Sequence, residues 1–384
     1  MTDLYNDIRP YRDHEVSSVV DTLLSDNEFI DTLIALRGNR IAKWVPGLVR
    51  LFARRTMKSQ LAGVSTVDGF QALVKPRLDR VVEATSYFSY SGIEQLDTEA
   101  SYLFISNHRD IVMDSAYANS VLVVEGHRTA QIAIGDNLLQ KPWVSHLMRI
   151  NKSFIVKRSL SGPKQQLAAS KQLANFMREA IVENQGPLWI AQREGRAKDG
   201  NDRTEAAVLK MLTLSRDKAT ESPDEVLGKL NIVPLTISYE IDPCDVMKAR
   251  ELAFGAGYEK APFEDLESIA QGIQGQKAHV HIHFGIPLNQ ASLSVPDAVS
   301  LIDDAMVANY RLFKTNFWAC EALGYAIDES ECDAAEASIT QSAFLARFDE
   351  LSKAERQQAL EMYARPVLNA VSYTHLRAHE TGWY

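Results

Sequence analysis

Between residues 86 and 288, short runs rich in β-branched and aromatic residues alternate with longer segments of helical period, and few folds accommodate that alternation. The runs are Tyr102–Ile105, Gln131–Ile134, Ser153–Val156, Leu188–Ala191, Ile232–Tyr239 and Val280–Phe284. Parallel strands need long crossover connections, usually helical, and the intervals here supply them. Lys164–Asn184 shows the helix period most clearly, with Leu167, Ala174, Met177, Ala180 and Ile181 on one face and Gly186-Pro187 as the stop. The pattern predicts an α/β fold, a mostly parallel sheet flanked by helices.

Helical extensions are predicted on both sides. From Ser17 to about Glu83 apolar residues recur at three and four, as in Val19, Val20, Leu23 and Leu24 and then Ile30, Leu33 and Ile34. From Val295 a Ser-Val-Pro-Asp start leads into helical sequence to about Val371, broken by the acidic segment Asp328–Glu336. The expected organisation is a helical N-terminal region (1–85), an α/β domain (86–290), a helical C-terminal region (291–371) and a non-native or disordered tail (372–384), whose start resembles translated adapter sequence.

Hydrophobic residues at 46% and charged residues at 24% match an ordered globular chain rather than a disordered or fibrous one. A net charge of -9 argues against nucleic acid as a partner. The three cysteines, Cys244, Cys320 and Cys332, lack metal-like spacing and point to a reducing compartment. The acidic start (Asp3, Asp7, Asp13, Glu15) does not read as an export signal, and no apolar run reaches the roughly 20 residues of a spanning helix. Charge is unevenly spread: Thr32 to Val67 holds seven basic residues and no acidic one. There Trp44, Leu48, Leu51, Phe52 and Met57 supply an apolar side and Arg50, Arg54, Arg55 and Lys58 the cations, a composition suited to a helix lying on an anionic membrane surface.

The strongest chemical signal is the run SNHRDIVMDSA. A strand ending at Ile105 delivers Asn107 and His108 to a loop, and a helix starting after Asp110 as its N-cap carries Asp114. Imidazole beside carboxylate is what general-base chemistry needs, because the carboxylate fixes the tautomer and stabilises the imidazolium. Two further strand ends are cationic: Lys157 and Arg158 follow one, and Arg193, Glu194, Gly195 and Arg196 follow another. In open α/β sheets, ligands gather at the carboxyl ends of strands. His-Arg-Asp at 108–110 does not make a kinase catalytic loop, since Ser115 stands where that loop needs Asn. His279, His281 and His283 alternate along one strand and read as the exposed face of a terminal strand rather than a metal site.

Four ordered blocks, SNHRDIVMD, NKSFIVKR, REGRAKDG and NIVPLTISY, resemble those of the glycerophosphate acyltransferase family, over about Ser86 to Leu288. The first departs from the family's spacing: His and Asp are usually five positions apart, whereas Asp110 lies two and Asp114 six beyond His108. Asp114 is preferred, since an extra loop residue can restore its position, with Asp110 kept as the alternative. The third block is one residue short between Glu194 and Arg196.

The resemblance implies transfer of an acyl group from acyl-CoA or acyl-acyl carrier protein to a glycerophospholipid precursor, 1-acyl-glycerol-3-phosphate first. His108 would be general base and Asp114 its orienting partner. Arg158 and Arg196 would bind the acceptor phosphate, supported by Lys157, Arg193, Glu194 and Gly195. No metal or cofactor is implied, and no Gly-x-Ser-x-Gly elbow is present for a covalent serine intermediate. The implied setting is cytoplasmic, peripheral to the membrane. Alternatives are glycerol-3-phosphate or another lysolipid as acceptor, or an inactive lipid-binding protein of the same fold.

Overall fold

The computed structural model describes residues 3–36, 46–261, 264–327 and 334–381. The N-terminal elements are α1 (Asp13–Ser25), α2 (Asn27–Leu36), α3 (Pro46–Gln60) and α4 (Val67–Thr85). Then follow β1 (Ser86–Ser91), β2 (Leu103–Ser106), α5 (Met113–Val124), β3 (Gln131–Gly135), α6 (Pro142–Ile150), β4 (Ser153–Val156), α7 (Pro163–Val182) and β5 (Leu188–Ala191). The chain continues through α8 (Ala206–Leu212), α9 (Pro223–Gly228), β6 (Ile232–Tyr239), α10 (Asp245–Phe254), α11 (Glu264–Gln274) and β7 (Ala278–Phe284). It ends with α12 (Val295–Asn309), β8 (Leu312–Phe313), α13 (Lys314–Ala322), β9 (Ala334–Ala335), α14 (Gln341–Ala346) and α15 (Lys353–Thr381).

These elements form two compact units, Met1–Leu78 with Gln131–Leu173, and Asp79–Ala130 with Ala174–Tyr384. In the first, β3 and β4 pair in parallel. Its core joins Val16, Val20 and Leu23 of α1, Ile30 of α2, Phe70 of α4 and Ile150 of α6. One face of α3 contributes Val49, Ala53 and Met57 to that core, while Leu51 and Phe52 are exposed.

In the second unit the strand order is β1-β7-β6-β2-β5. β2 pairs in parallel with both β5 and β6, β1 pairs in parallel with β7, and the β6–β7 pair is antiparallel. β2 and β6 are buried along their whole length, which explains their continuous apolar sequence. Val233 and Leu235 are therefore core residues. A second cluster packs α13, α14 and α15 around Phe317, Phe344, Phe348, Tyr363 and Val367.

Several expectations need correction. β1 is an additional strand that the sequence pattern does not mark, because SYFSYS interleaves serine with aromatics and offers no apolar run. Its presence makes β7 an interior strand, so the three histidines do not lie on an exposed face: His279 and His281 are buried. They form a ladder with β1. Ser89 Oγ lies 2.6 Å from His279 Nε2 and 2.8 Å from His281 Nδ1, and Ser91 Oγ lies 3.0 Å from His281 Nε2 and 2.9 Å from His283 Nδ1. Leu167 of α7 is exposed rather than part of its buried face. Ser294 caps α12 by accepting from Asp297 N, with Pro296 in the first turn. The helix α15 continues past Val371 to Thr381. Cys244 and Cys320 are buried, and Cys332 lies outside the described residues.

Candidate active site

β2, β5 and β6 run in the same direction, so their carboxyl ends come together, and His108 stands just beyond the end of β2. Its side chain keeps 14% exposure while Asn107, Arg109, Asp110 and Asp114 around it are buried. The loop is held by the neighbouring strand. Asn107 Oδ1 accepts from Ile237 N at 2.7 Å, and Nδ2 donates to Ile237 O at 2.9 Å and to Asp202 at 3.0 Å. The Asn107 amide thus pairs with β6 as a backbone would.

His108 Nδ1 lies 2.8 Å from Asp114 Oδ2. The helix carrying Asp114 starts later than the sequence suggests: Ile111 and Val112 form a turn and α5 begins at Met113. Asp110 does act as a cap, its Oδ1 accepting from Val112 N at 2.9 Å and Met113 N at 2.8 Å. One residue rotates a helical side chain by about 100°, and the turn absorbs the extra residue before that rotation matters. Asp114 Oδ2 also accepts from Arg109 N at 2.6 Å and Asp110 N at 2.9 Å, and Oδ1 accepts from Tyr239 Oη–H at 2.8 Å. Burial opposes charge on Asp114, yet the His108 bond and charge, with the Asp110 and Tyr239 bonds, hold its carboxyl below the usual range. On another side, Trp189 of β5 meets the His108 ring edge-on at 5.4 Å between centroids.

The Arg193–Arg196 turn belongs to the same unit and is tied to the histidine loop, since Ala197 N donates to His108 O at 2.7 Å. Arg196 Nη1 donates to Ser268 Oγ of α11 at 2.6 Å. Glu194 and Gly195 are exposed, and Gly195 has φ 73°, a conformation that favours glycine. Arg193 is half-buried, its Nη1 3.4 Å from Asn201 O and its Nε buried without a partner among the described residues. Lys157 and Arg158 belong to the first unit. Lys157 is engaged there by Asp7 and by Gln172 Oε1 at 3.3 Å, whereas Arg158 is exposed, with its backbone N 3.0 Å from Asp136 Oδ1.

Supporting residues went unnoticed in the sequence. Arg109, fully desolvated, donates to Asp202 Oδ2 at 2.6 Å; the Asp202 charge more than offsets burial and keeps the guanidinium protonated. Lys248 Nζ donates to Arg109 O at 2.7 Å and pairs with Asp242. Asp202, Tyr239 and Lys248 lie some 90 to 140 positions from the loop they support, as the Arg109–Asp202, Asp114–Tyr239 and Arg109–Lys248 bonds show. The only sequence signal among them was Tyr239, the last residue of the apolar block.

Residues 88–237 match the family model described as Acyltransferase, a span holding His108, Asp114, Arg158 and Arg196. Comparison with curated proteins gives no match. Among solved structures, the chain is similar to the 1-acyl-sn-glycerophosphate (LPA) acyltransferase PlsC from Thermotoga maritima at 12% identity and a TM-score of 0.35, covering 74% of this chain and 92% of that one. That likeness is too distant to carry any residue's role across. Over residues 88–237, the chain is thus similar to the acyltransferase family.

Proposed function

We propose that the protein transfers a fatty acyl group from an acyl thioester to the hydroxyl of a glycerophospholipid precursor, 1-acyl-glycerol-3-phosphate first. The observation that carries this reading is the partly exposed His108 ring held by the buried Asp114 carboxylate at 2.8 Å, inside the span matched to the acyltransferase family. His108 takes the proton of the acceptor hydroxyl as its oxygen attacks the thioester carbonyl. The C–O bond forms, the C–S bond breaks, and the proton passes from the imidazolium to the leaving thiolate, so the donor departs as free CoA or acyl carrier protein thiol. Asp114 stabilises the imidazolium without taking the proton itself. Arg196, on the turn bonded to the His108 carbonyl, binds the acceptor phosphate, for which a planar guanidinium is suited.

A lipid acceptor must be taken from a bilayer. Among the described residues no helix is long and apolar enough to cross a membrane. Attachment by α3 to an anionic, cytoplasmic membrane surface fits its exposed Leu51 and Phe52 beside the exposed Arg55 and Lys58.

The test is turnover of labelled acyl thioester against a panel of acceptors, phosphorylated and not. His108→Ala should lose about 10²- to 10⁴-fold in kcat at unchanged fold, the usual contribution of a positioned base. Arg196→Ala should chiefly raise the acceptor KM, as loss of a charge-assisted contact costs about 1.5–3 kcal/mol. Retained turnover in the His108 variant sinks the mechanism. An acceptor KM unmoved in the Arg196 variant removes the phosphate assignment.

A further inference from the structure

The carboxylate of Asp114 is saturated, and its four partners divide unequally. The three donors to Oδ2, His108 Nδ1, Arg109 N and Asp110 N, belong to one loop. The single donor to Oδ1, Tyr239 Oη–H at 2.8 Å, comes from the end of β6. Tyr239 is 3% exposed and Asp114 is fully buried, so this bond lies away from bulk solvent. The terminal torsion of an aspartate is broad and has no sharp intrinsic minimum, so its plane is set by whatever bonds both oxygens. Donors to Oδ2 alone leave the carboxylate free to swing about that oxygen; the β6 hydroxyl removes this freedom.

We propose that Tyr239 is a positioning residue for acyl transfer: its hydroxyl locks the plane of Asp114, and through it the His108 ring, to the central sheet. This deepens the acyl-transfer reading and rests on it. The phenol has no competing role as an acid, because burial, followed by the negative charges of Asp114 and Asp110, raises it well above its ordinary value, so it donates throughout the working pH range. Its ring is fixed against Tyr117, with centroids 6.3 Å apart at 75°, and Tyr117 Oη lies 2.7 Å from Ser86 Oγ. The titratable and charged groups around Asp114 are His108, Asp110, Tyr117, Tyr239 and the Arg109 guanidinium, with Lys248 acting on Asp110. Of these, Tyr239 is the one that donates to Oδ1 among the described residues. Its donation also draws charge from the carboxylate, which keeps Asp114 from competing for the proton that His108 must hold and then release.

The experiment compares the parent protein with Tyr239→Phe, which keeps the ring and its packing. Two readouts are taken: kcat and KM for donor and acceptor, and the titration of the His108 ring followed by nitrogen NMR on histidine-labelled protein. We expect kcat to fall about tenfold with both KM values within about twofold, as for loss of one hydrogen bond to a charged group. The His108 midpoint should move upward by at least about 0.5 in pH, because a carboxylate stripped of one donor attracts the imidazolium more strongly. If the phenylalanine variant does not fold, 3-fluorotyrosine at position 239, a stronger donor of nearly the same shape, should move the midpoint downward. A midpoint that stays at the parent's value in the variant that folds overturns the proposal, as does an unchanged kcat. The NMR arm needs no substrate: absence of His108-dependent turnover in the parent would defeat the acyl-transfer reading while the titration still decides whether Tyr239 governs the pair.

Discussion

Asp110 and Asp114 sit four positions apart, both buried, yet their carboxyls are pushed in opposite directions. Burial and the negative charge of Asp114 raise Asp110, although Met113 N and Val112 N pull the other way. Asp114 is lowered despite burial, through His108, Asp110 N and Tyr239. The difference follows from donors: Asp110 caps a turn, while Asp114 faces an imidazole. Asp114→Asn should therefore cost about 10²- to 10⁴-fold in kcat with modest loss of stability, because an amide cannot hold the ring's tautomer. Asp110→Asn should cost about 0.5–2 kcal/mol of stability, the range for a disturbed cap, and leave kcat within a few fold. Steady-state rates and urea midpoints on both variants separate the two roles; a larger kcat loss at Asp110 would reassign the carboxylate. The choice between these two aspartates could be narrowed in the sequence only by preference, because the turn at Ile111 and Val112 that decides it has no periodic signature.

Among the elements, the β1–β7 pair carries the clearest pH dependence. Burial, followed by the charge of Arg311, lowers His279 to about 4, and the same causes with its two histidine neighbours lower His281 to about 4. Burial also lowers His283, with Glu94 opposing. In the unfolded chain these rings return to about 6.5, so between about 6.5 and about 4 the unfolded state binds more protons and stability falls as pH falls. Above about 6.5 both states are neutral, and below about 4 the loss is complete. His279 and His281 can each contribute on the order of 2 kcal/mol to that loss. Urea midpoints of the parent at pH 7.5 and 4.5 should differ accordingly, and the double variant His279→Gln, His281→Gln should show a flatter dependence. An equally steep dependence in the double variant would place the acid sensitivity elsewhere. The alternation of these histidines is readable in the sequence, but their burial is not, because it depends on a serine-rich strand some 190 positions away.

At the scale of the whole molecule, the basic stretch of α3 is used differently from its composition. Arg50 pairs with Asp31, with its Nε 2.6 Å from Oδ1, and Arg54 donates to Leu24 O at 2.9 Å, Ser25 O at 3.1 Å and Asn27 Oδ1 at 2.8 Å. Trp44 lies outside the described residues, and so does the side chain of Leu48. The exposed part of α3 thus includes Leu51 and Phe52, 64% and 73% exposed, with Arg55 and Lys58. Each cation near an anionic surface contributes about 1 kcal/mol and each buried CH₂ about 0.8 kcal/mol, so the attachment proposed above would be reversible. Binding to vesicles containing phosphatidylserine should weaken with salt. Phe52→Ser with Arg55→Glu and Lys58→Glu should reduce it at least about tenfold, leaving turnover of a dispersed short-chain acceptor near the parent's. Cosedimentation equal to the parent's would remove α3 as the docking element.

Periods of 3.6 and 2 are local properties, and so α7, β4, β5 and β6 could be placed from sequence to within a residue or two. The order of the four blocks likewise put His108, Arg158 and Arg196 at strand ends, because a strand's carboxyl end is adjacent in the chain to the loop it feeds. What local pattern cannot encode is which distant group satisfies a buried donor or acceptor. Tertiary structure alone decided that β1 closes over the histidines, that residues 131–173 share a compact unit with 1–78, and that Tyr239 completes the shell of Asp114. Each of these joins residues roughly a hundred or more positions apart, where the preference is set by burial and hydrogen-bond satisfaction in three dimensions.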